Sequence, residues 1–213
     1  MADYTLFTNP MSRGQIARWA LHEVGADYEQ VIVSYTEPKP EALLAANPMG
    51  KIPTLIHHGA GGDHVITECA AICAYLAETE NAAGLAPTAA ERADYYRWLF
   101  FAAGPVEQAI TARSFGFEPD ARQQKSAGFG CYDLMVDTLS GHFEARDFVC
   151  GTRFTMADVY VGSQVLWGLM FKTLPERPAL TAYAARLKAR PAHAAALAID
   201  MALMPKPPEK APA

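Results

Sequence analysis

The sequence is short of cysteine, and its four cysteines share no motif. Cys69, Cys73, Cys131 and Cys150 form no C-x-x-C pair. With the histidines they give no zinc-ligand spacing, so no metal is expected. Cys69 and Cys73 stand one helical turn apart and read as small buried hydrophobes on one helix face rather than as ligands of a soft metal. Basic charge is also scarce: 18 Lys and Arg stand against 23 Asp and Glu, a net charge of −5. That balance gives no reason to expect nucleic acid or an anionic membrane as a partner. No apolar run approaches the roughly 18 residues that span a bilayer. The opening "MADYTLF" lacks the basic segment and apolar core of a signal peptide. A cytoplasmic setting is therefore the expectation, and in that reducing compartment no disulfide is. What remains is ordinary globular material: 213 residues, 51% hydrophobic and 19% charged, enough for one or two domains with real cores.

Along the first 78 residues, strand and helix signals alternate. "YTLFT" reads as a strand. Ile16, Ala17, Ala20, Leu21 and Val24 recur at helical spacing and Gly25 stops the run. "YEQVIV" is a second strand, which makes a βαβ unit. "EALLAAN" is a short helix ending at Asn47-Pro48. "TLIHH" and "HVIT" form a hairpin around "GAGGD", and "ECAAICAYLAE" is a helix. Residues 79–90, "TENAAGLAPTAA", are small, polar and Pro/Gly-bearing and read as a linker. Residues 91–204 are almost wholly helical. "ERADYYRWLFFAAGPVEQAI" is a long stretch interrupted near Gly104-Pro105, followed by helices at "CYDLMVDTLSGHFEA", "MADVYVGSQVLWGLM" and "ALTAYAARLKARP". The Pro-rich tail, residues 205–213, is expected to be disordered.

Three stretches carry chemistry. In "NPMGKIPTL", a proline directly before an internal strand cannot donate to the ladder. A cis Ile52–Pro53 bond would leave the Ile52 N–H and C=O free for an extended peptide ligand; a trans turn proline is the plain alternative. In "ITECAAICAYL", a helix opens at Thr67-Glu68-Cys69 directly after a strand. Its free N–H groups suit a carboxylate, and Glu68 could face an ammonium group or simply complement the helix dipole. In "FTNPMSRGQIARW", Ser12 stands at the head of the first helix, either as an N-cap or as a donor to an incoming anion.

Taken in chain order, "NPMSRG", "NPMGKIPTL" and "ITECAAICAYL" resemble the N-terminal half of the cytosolic glutathione transferases, and "FVCGTRFTMADVYV" resembles that family's C-terminal signature. The resemblance covers nearly the whole chain except the tail. It implies an α/β thioredoxin-like N-terminal domain (residues 1–78) and an all-α C-terminal helical bundle domain (residues 91–204). In the signature, Thr155 would be an N-cap, Asp158 would complete a capping box, and Phe154 would staple to Val159. The resemblance also implies glutathione as co-substrate, bound through Ser12, Lys51, Ile52, Pro53, Glu68 and Cys69. Cys69 departs from the serine usual there and replaces a good hydroxyl donor by a weak thiol donor. Ser12 would stabilise the glutathione thiolate, as in the theta-like serine classes, with Asn9 as the alternative donor and Arg13 as a further stabilising charge. A free thiol has a pKa of about 8.5, so little is ionised at neutral pH without such help. Serine rather than cysteine at position 12 excludes a mixed disulfide with glutathione at that residue.

The implied reaction is attack of that thiolate on a hydrophobic electrophile, a detoxification chemistry. Its pocket would be drawn from Met11, Tyr95, Tyr96, Trp98, Phe101, Arg113, Phe115 and Phe117, of which only two or three are expected to line it. A homodimer is implied as well. Two other readings stand beside this one. The first is a glutathione-dependent isomerase, dehalogenase or peroxidase. The second is a non-catalytic ligand-binding or interaction protein on the same fold.

Overall fold

The computed structural model describes residues 2–204; the tail expected to be disordered lies outside them. The first 79 residues build a four-stranded sheet in the order β2-β1-β3-β4. It consists of β1 (Tyr4–Thr8), β2 (Tyr28–Ile32), β3 (Thr54–Gly59) and β4 (Gly62–Ile66). β1 and β2 are parallel, with Phe7 opposite Val31. β1 and β3 are antiparallel, with Leu6 opposite Leu55. Gly59 pairs with Gly62, so the hairpin strands run further into "GAGGD" than the sequence suggests and leave only Ala60 and Gly61 to turn.

β1 is buried on both faces, as the alternation of a strand requires. Tyr4 and Leu6 enter the main core with Ile16, Leu21, Ile72 and Leu76. Phe7 enters a smaller cluster with Val33 and Leu43 on the opposite face. The first face is covered by α1 (Gly14–Val24) and α3 (Cys69–Thr79), and Leu43 of the second cluster comes from α2 (Glu41–Ala46). α1 ends where Gly25 adopts the left-handed conformation, φ 68°, which glycine takes without steric cost.

Beyond residue 90 the described chain is helical. α4 (Arg92–Phe101) runs through a π-helical turn at Ala102–Val106, which contains Pro105, into α5 (Glu107–Ser114). The interruption expected at Gly104-Pro105 is this turn, where proline cannot supply the regular hydrogen bond. α6 (Tyr132–His142), α7 (Met156–Met170) and α8 (Pro178–Lys188) follow. A ninth helix, α9 (Pro191–Leu203), has no counterpart in the sequence reading, which ended its last helix at Pro191. Proline at the first helical position starts α9 rather than ending α8. α9 lies along α1 and is held near both ends. Arg190 donates two bonds to the Glu23 carboxylate, each 2.6 Å. Buried Arg18 donates Nε to Asp200 Oδ1 at 3.0 Å.

α7 is the central helix of this half, with eleven of its fifteen residues buried. Its start carries the capping box read from the sequence: Asp158 accepts from the Thr155 backbone N–H at 2.8 Å and Thr155 caps in return. The carboxylate also accepts from the Val149 N–H (2.7 Å) and the Tyr183 hydroxyl (3.0 Å). Burial pushes the Asp158 carboxyl up to about 6 against the pull of these donors. The Phe154 ring, one residue before the cap, packs toward Trp19 of α1 and Phe148. Asp158→Ala would orphan buried donors from three segments at once. A loss of about 2–4 kcal/mol in unfolding free energy is expected, read from the midpoint of urea denaturation.

Candidate active site

The turn between β1 and α1 is fixed from behind by Asn9. Its buried carboxamide donates to Val33 O at 2.9 Å and accepts from the Met11 N–H at 2.9 Å. Asn9 therefore shapes the turn from inside rather than presenting its amide at the surface. Ser12 is half-buried at the head of α1. Its hydroxyl donates to Asn9 O at 2.7 Å and accepts from the Gly14 N–H at 2.9 Å. Asn9 O also accepts from the Ser12 N–H at 3.1 Å. The Arg13 N–H has no partner among the described residues. Gly14 is required for close approach: a Cβ there would stand 1.9 Å from Thr8 Oγ1.

Arg13 turns its guanidinium to the helical half. Nε donates to Glu107 Oε1 at 2.8 Å, and Nη2 meets Glu107 Oε2. Gln164 of α7 donates to the same carboxylate at 2.7 Å. The Glu107 hydrogen bond is the main reason the Arg13 pKa is raised. The turn is thus tied across to α5 and α7.

Facing it is the segment before β3. The Ile52–Pro53 bond is cis. The Ile52 N–H and C=O make no hydrogen bond among the described residues. Asn47 braces this segment, its carboxamide donating to Lys51 O and to Thr54 Oγ1, each at 3.1 Å. Lys51 is exposed. A second lysine lies against Gly50, the residue before Lys51. Lys39 Nζ comes within 2.8 Å of where a Gly50 Cβ would stand, and Gly50 holds φ 60°. Lysine in "EPKPEALL" carries no local signal; the close approach to Gly50 reveals it.

Glu68 completes the ring. It is exposed, and it is a non-glycine residue in the left-handed region, at φ 62°. Strained backbone of this kind concentrates at functional sites. Directly after it, the first N–H groups of α3 have no side-chain cap. Cys69 turns its thiol away from this opening and donates Sγ to Arg13 O at 3.6 Å. It is buried, and burial pushes its thiol up to about 12. It therefore serves as a tie between α3 and the Ser12 turn, not as a nucleophile.

The aromatic residues sort by helix face. Tyr95 and Trp98 do not line a cleft: together with Leu99, Ala102 and Val106 they form the buried stripe of α4 and the turn after it. Trp98 packs tilted against His142 with centroids 3.9 Å apart. The spacing 95, 98, 99, 102, 106 is that of a core face, and this corrects the expectation for both residues. Phe101 packs partly buried on Trp98. Tyr96 donates to Glu78 at 2.8 Å. Arg113 places its guanidinium over the Tyr132 ring at 4.1 Å. Met11, Phe115 and Phe117 are exposed and are left as the open apolar surface near the turn and beyond α5. Among the described residues no group of three His, Cys, Asp or Glu could hold a metal ion. No described helix is long and apolar enough to cross a membrane.

An open backbone at a cis-proline, an acidic residue at an uncapped helix start and a hydroxyl at the head of α1 now stand on one side of a small mixed sheet. Residues 2–78 match the family model of the glutathione S-transferase N-terminal domain, and residues 109–191 match that of the C-terminal domain. The chain is 30% identical to glutathione S-transferase 1 of Schizosaccharomyces pombe over 173 residues, 75% of this chain and 73% of that protein. The chain belongs to the glutathione S-transferase family. Among solved structures, a sphingomonad glutathione S-transferase complexed with glutathione is 30% identical, with TM-score 0.73, covering 92% of this chain and 98% of that one. A beta-class enzyme from Sphingomonas chungbukensis is 26% identical, with TM-score 0.73, covering 94% and 100%.

Gly14→Ala in this transferase should cost about 2 kcal/mol or more through the clash with Thr8. Adding Thr8→Ala removes the clashing hydroxyl and should recover part of the loss, as a double-mutant cycle of denaturation midpoints would read.

Proposed function

We propose that this transferase binds glutathione across the cleft edge formed by the Ser12 turn, the Ile52–Pro53 segment and the start of α3, and activates its thiol for attack on a hydrophobic electrophile. The observation that carries the reading is the unpaired backbone of Ile52 beside cis Pro53. It offers a donor and an acceptor to an extended peptide. The γ-glutamyl carboxylate meets the uncapped N–H groups of α3, and its ammonium group meets Glu68. Lys51 and Lys39 supply positive charge for the glycyl carboxylate.

The sulfur then lies at the head of α1. Ser12 has one proton, which in the free protein goes to Asn9 O. A thiolate is the stronger acceptor, because a hydrogen bond to an anion is roughly twice as strong as a neutral one. Turning the hydroxyl toward sulfur leaves Asn9 O still bonded to the Ser12 N–H, so no buried carbonyl is orphaned. The Arg13 N–H and the positive end of α1 add to the stabilisation. Arg13's side chain, committed to Glu107, holds the turn in place. This is the serine-class reading of the site. Little covalent work is then asked of the protein beyond thiolate stabilisation and positioning.

The electrophile lies over the exposed side of the turn, near Met11, with Phe115 and Phe117 of the helical half as further apolar surface. A homodimer and a cytoplasmic, detoxifying role belong to the same reading. Exposed Met49 of the sheet half and Phe100 of α4 are apolar anchors suited to a subunit contact.

Retention on immobilised glutathione together with conjugation of an aryl halide tests the function. Retention without turnover of any electrophile would favour a ligand carrier instead. Ser12→Ala is expected to lower kcat by about 10- to 100-fold, the size of one hydrogen bond to an anion, while KM for glutathione changes by less than about threefold. Unchanged kcat would remove Ser12 from the role.

A further inference from the structure

Thr8, the last residue of β1, is fully buried, and its hydroxyl is sealed from solvent with no hydrogen-bond partner among the described residues. A buried hydroxyl left without a partner is costly. The Thr8 carbonyl is satisfied, accepting from the Val33 N–H at 2.8 Å; the side chain is not. It faces the head of α1. The point where a Gly14 Cβ would stand is 1.9 Å from Thr8 Oγ1 and 2.9 Å from Ser12 Oγ. The two oxygens therefore flank one spot, and the missing side chain of Gly14 leaves it open between them. A hydroxyl oxygen donates one proton and accepts at two lone pairs. Ser12 Oγ donates to Asn9 O and accepts from the Gly14 N–H, which leaves one lone pair unfilled among the described residues. An unused donor thus stands next to an unused acceptor.

We propose, on the reading of Ser12 as the thiolate donor, that Thr8 is a positioning residue whose hydroxyl donates to Ser12 Oγ when the Ser12 hydroxyl is given to sulfur. A hydroxyl that donates to an anion gains negative charge on its oxygen and becomes a better acceptor. A donor on that oxygen strengthens the bond to the anion in return, by roughly 10–30% per bond. Thr8 itself touches no ligand, since no part of it reaches solvent; it acts through Ser12. Thiolate binding thereby also satisfies a donor that the free protein leaves orphaned.

The thiolate absorbance of glutathione bound to the full chain, titrated with pH, tests the role. Thr8→Val and Thr8→Ala both remove the hydroxyl; the first keeps the side chain's shape and the second adds no bulk against Gly14. Each is expected to raise the pKa of the bound thiol by about half a unit, about a threefold loss of thiolate below that pKa. Thr8→Ser keeps the hydroxyl and should keep the wild-type value, which a purely structural role of the threonine methyl does not predict. In a Ser12→Ala background, Thr8→Val should leave the pKa unchanged, because the residue it acts through is gone. Three results would each overturn the role of Thr8 while leaving Ser12 as the thiolate donor: an unshifted pKa in Thr8→Val or Thr8→Ala, a shift in Thr8→Ser as large as in Thr8→Val, or the same Thr8→Val shift with and without the Ser12 hydroxyl. A bound thiol that titrates like free glutathione, or one that Ser12→Ala does not move, would instead overturn the reading of Ser12, and Thr8 with it.

Discussion

The proposed chemistry depends on one proton on one hydroxyl. Ser12 gives it to the carbonyl of Asn9; on the proposed reading a sulfur anion takes it instead, and the turn is built so that the exchange is cheap. The carbonyl keeps a second donor, the Ser12 N–H, when the hydroxyl leaves it. The Gly14 N–H donates to the hydroxyl oxygen at 2.9 Å and so polarises the O–H bond toward its acceptor. On the proposed reading, the hydroxyl that bonds Asn9 O and the Gly14 N–H in the free protein turns to the thiolate when glutathione is bound, so a structural and a chemical role fall to one serine.

That exchange is useful only if the turn does not move with it. Four ties from four directions hold it: Asn9 to the residue after β2, the Arg13 carbonyl to Cys69 of α3, the Arg13 guanidinium to Glu107 of α5, and Gln15 back to Pro10. Preorganised donors of this kind contribute to catalysis because they need no rearrangement as charge develops. The placement of Cys69 also has a plain physical sense. The Cys69 thiol, a weak donor, is used inside the protein, where it joins α3 to the Arg13 carbonyl of the turn.

The local parts of this design are legible in the sequence, and the long-range parts are not. The Gly25 stop and the Thr155–Asp158 box depend on neighbours within a few positions, so residue type and spacing suffice to read them; at Ile52-Pro53 local sequence leaves cis and trans open, and the bond is cis. α9 is hard to read because Pro191 serves equally as the end of one helix and the start of the next. Residue type alone suggests the cleft for Tyr95 and Trp98, whereas their spacing with Leu99 and Ala102 marks a core face. The Arg18–Asp200 pair joins residues 182 positions apart; nothing near either residue announces the other. Lys39 reaches Gly50 only because of the path of the loop, and the Arg13–Glu107 tie exists only once the two halves of the chain pack together.

The most direct measurement follows the thiolate absorbance of bound glutathione in the ultraviolet as pH is raised, with the protein in excess over the ligand. A bound thiol that ionises at least one unit below its free value of about 8.5, worth roughly 1.4 kcal/mol of preference for the anion, is the expected result. A bound thiol that titrates like free glutathione would contradict the assignment of the Ser12 turn as the place where the sulfur acquires its charge.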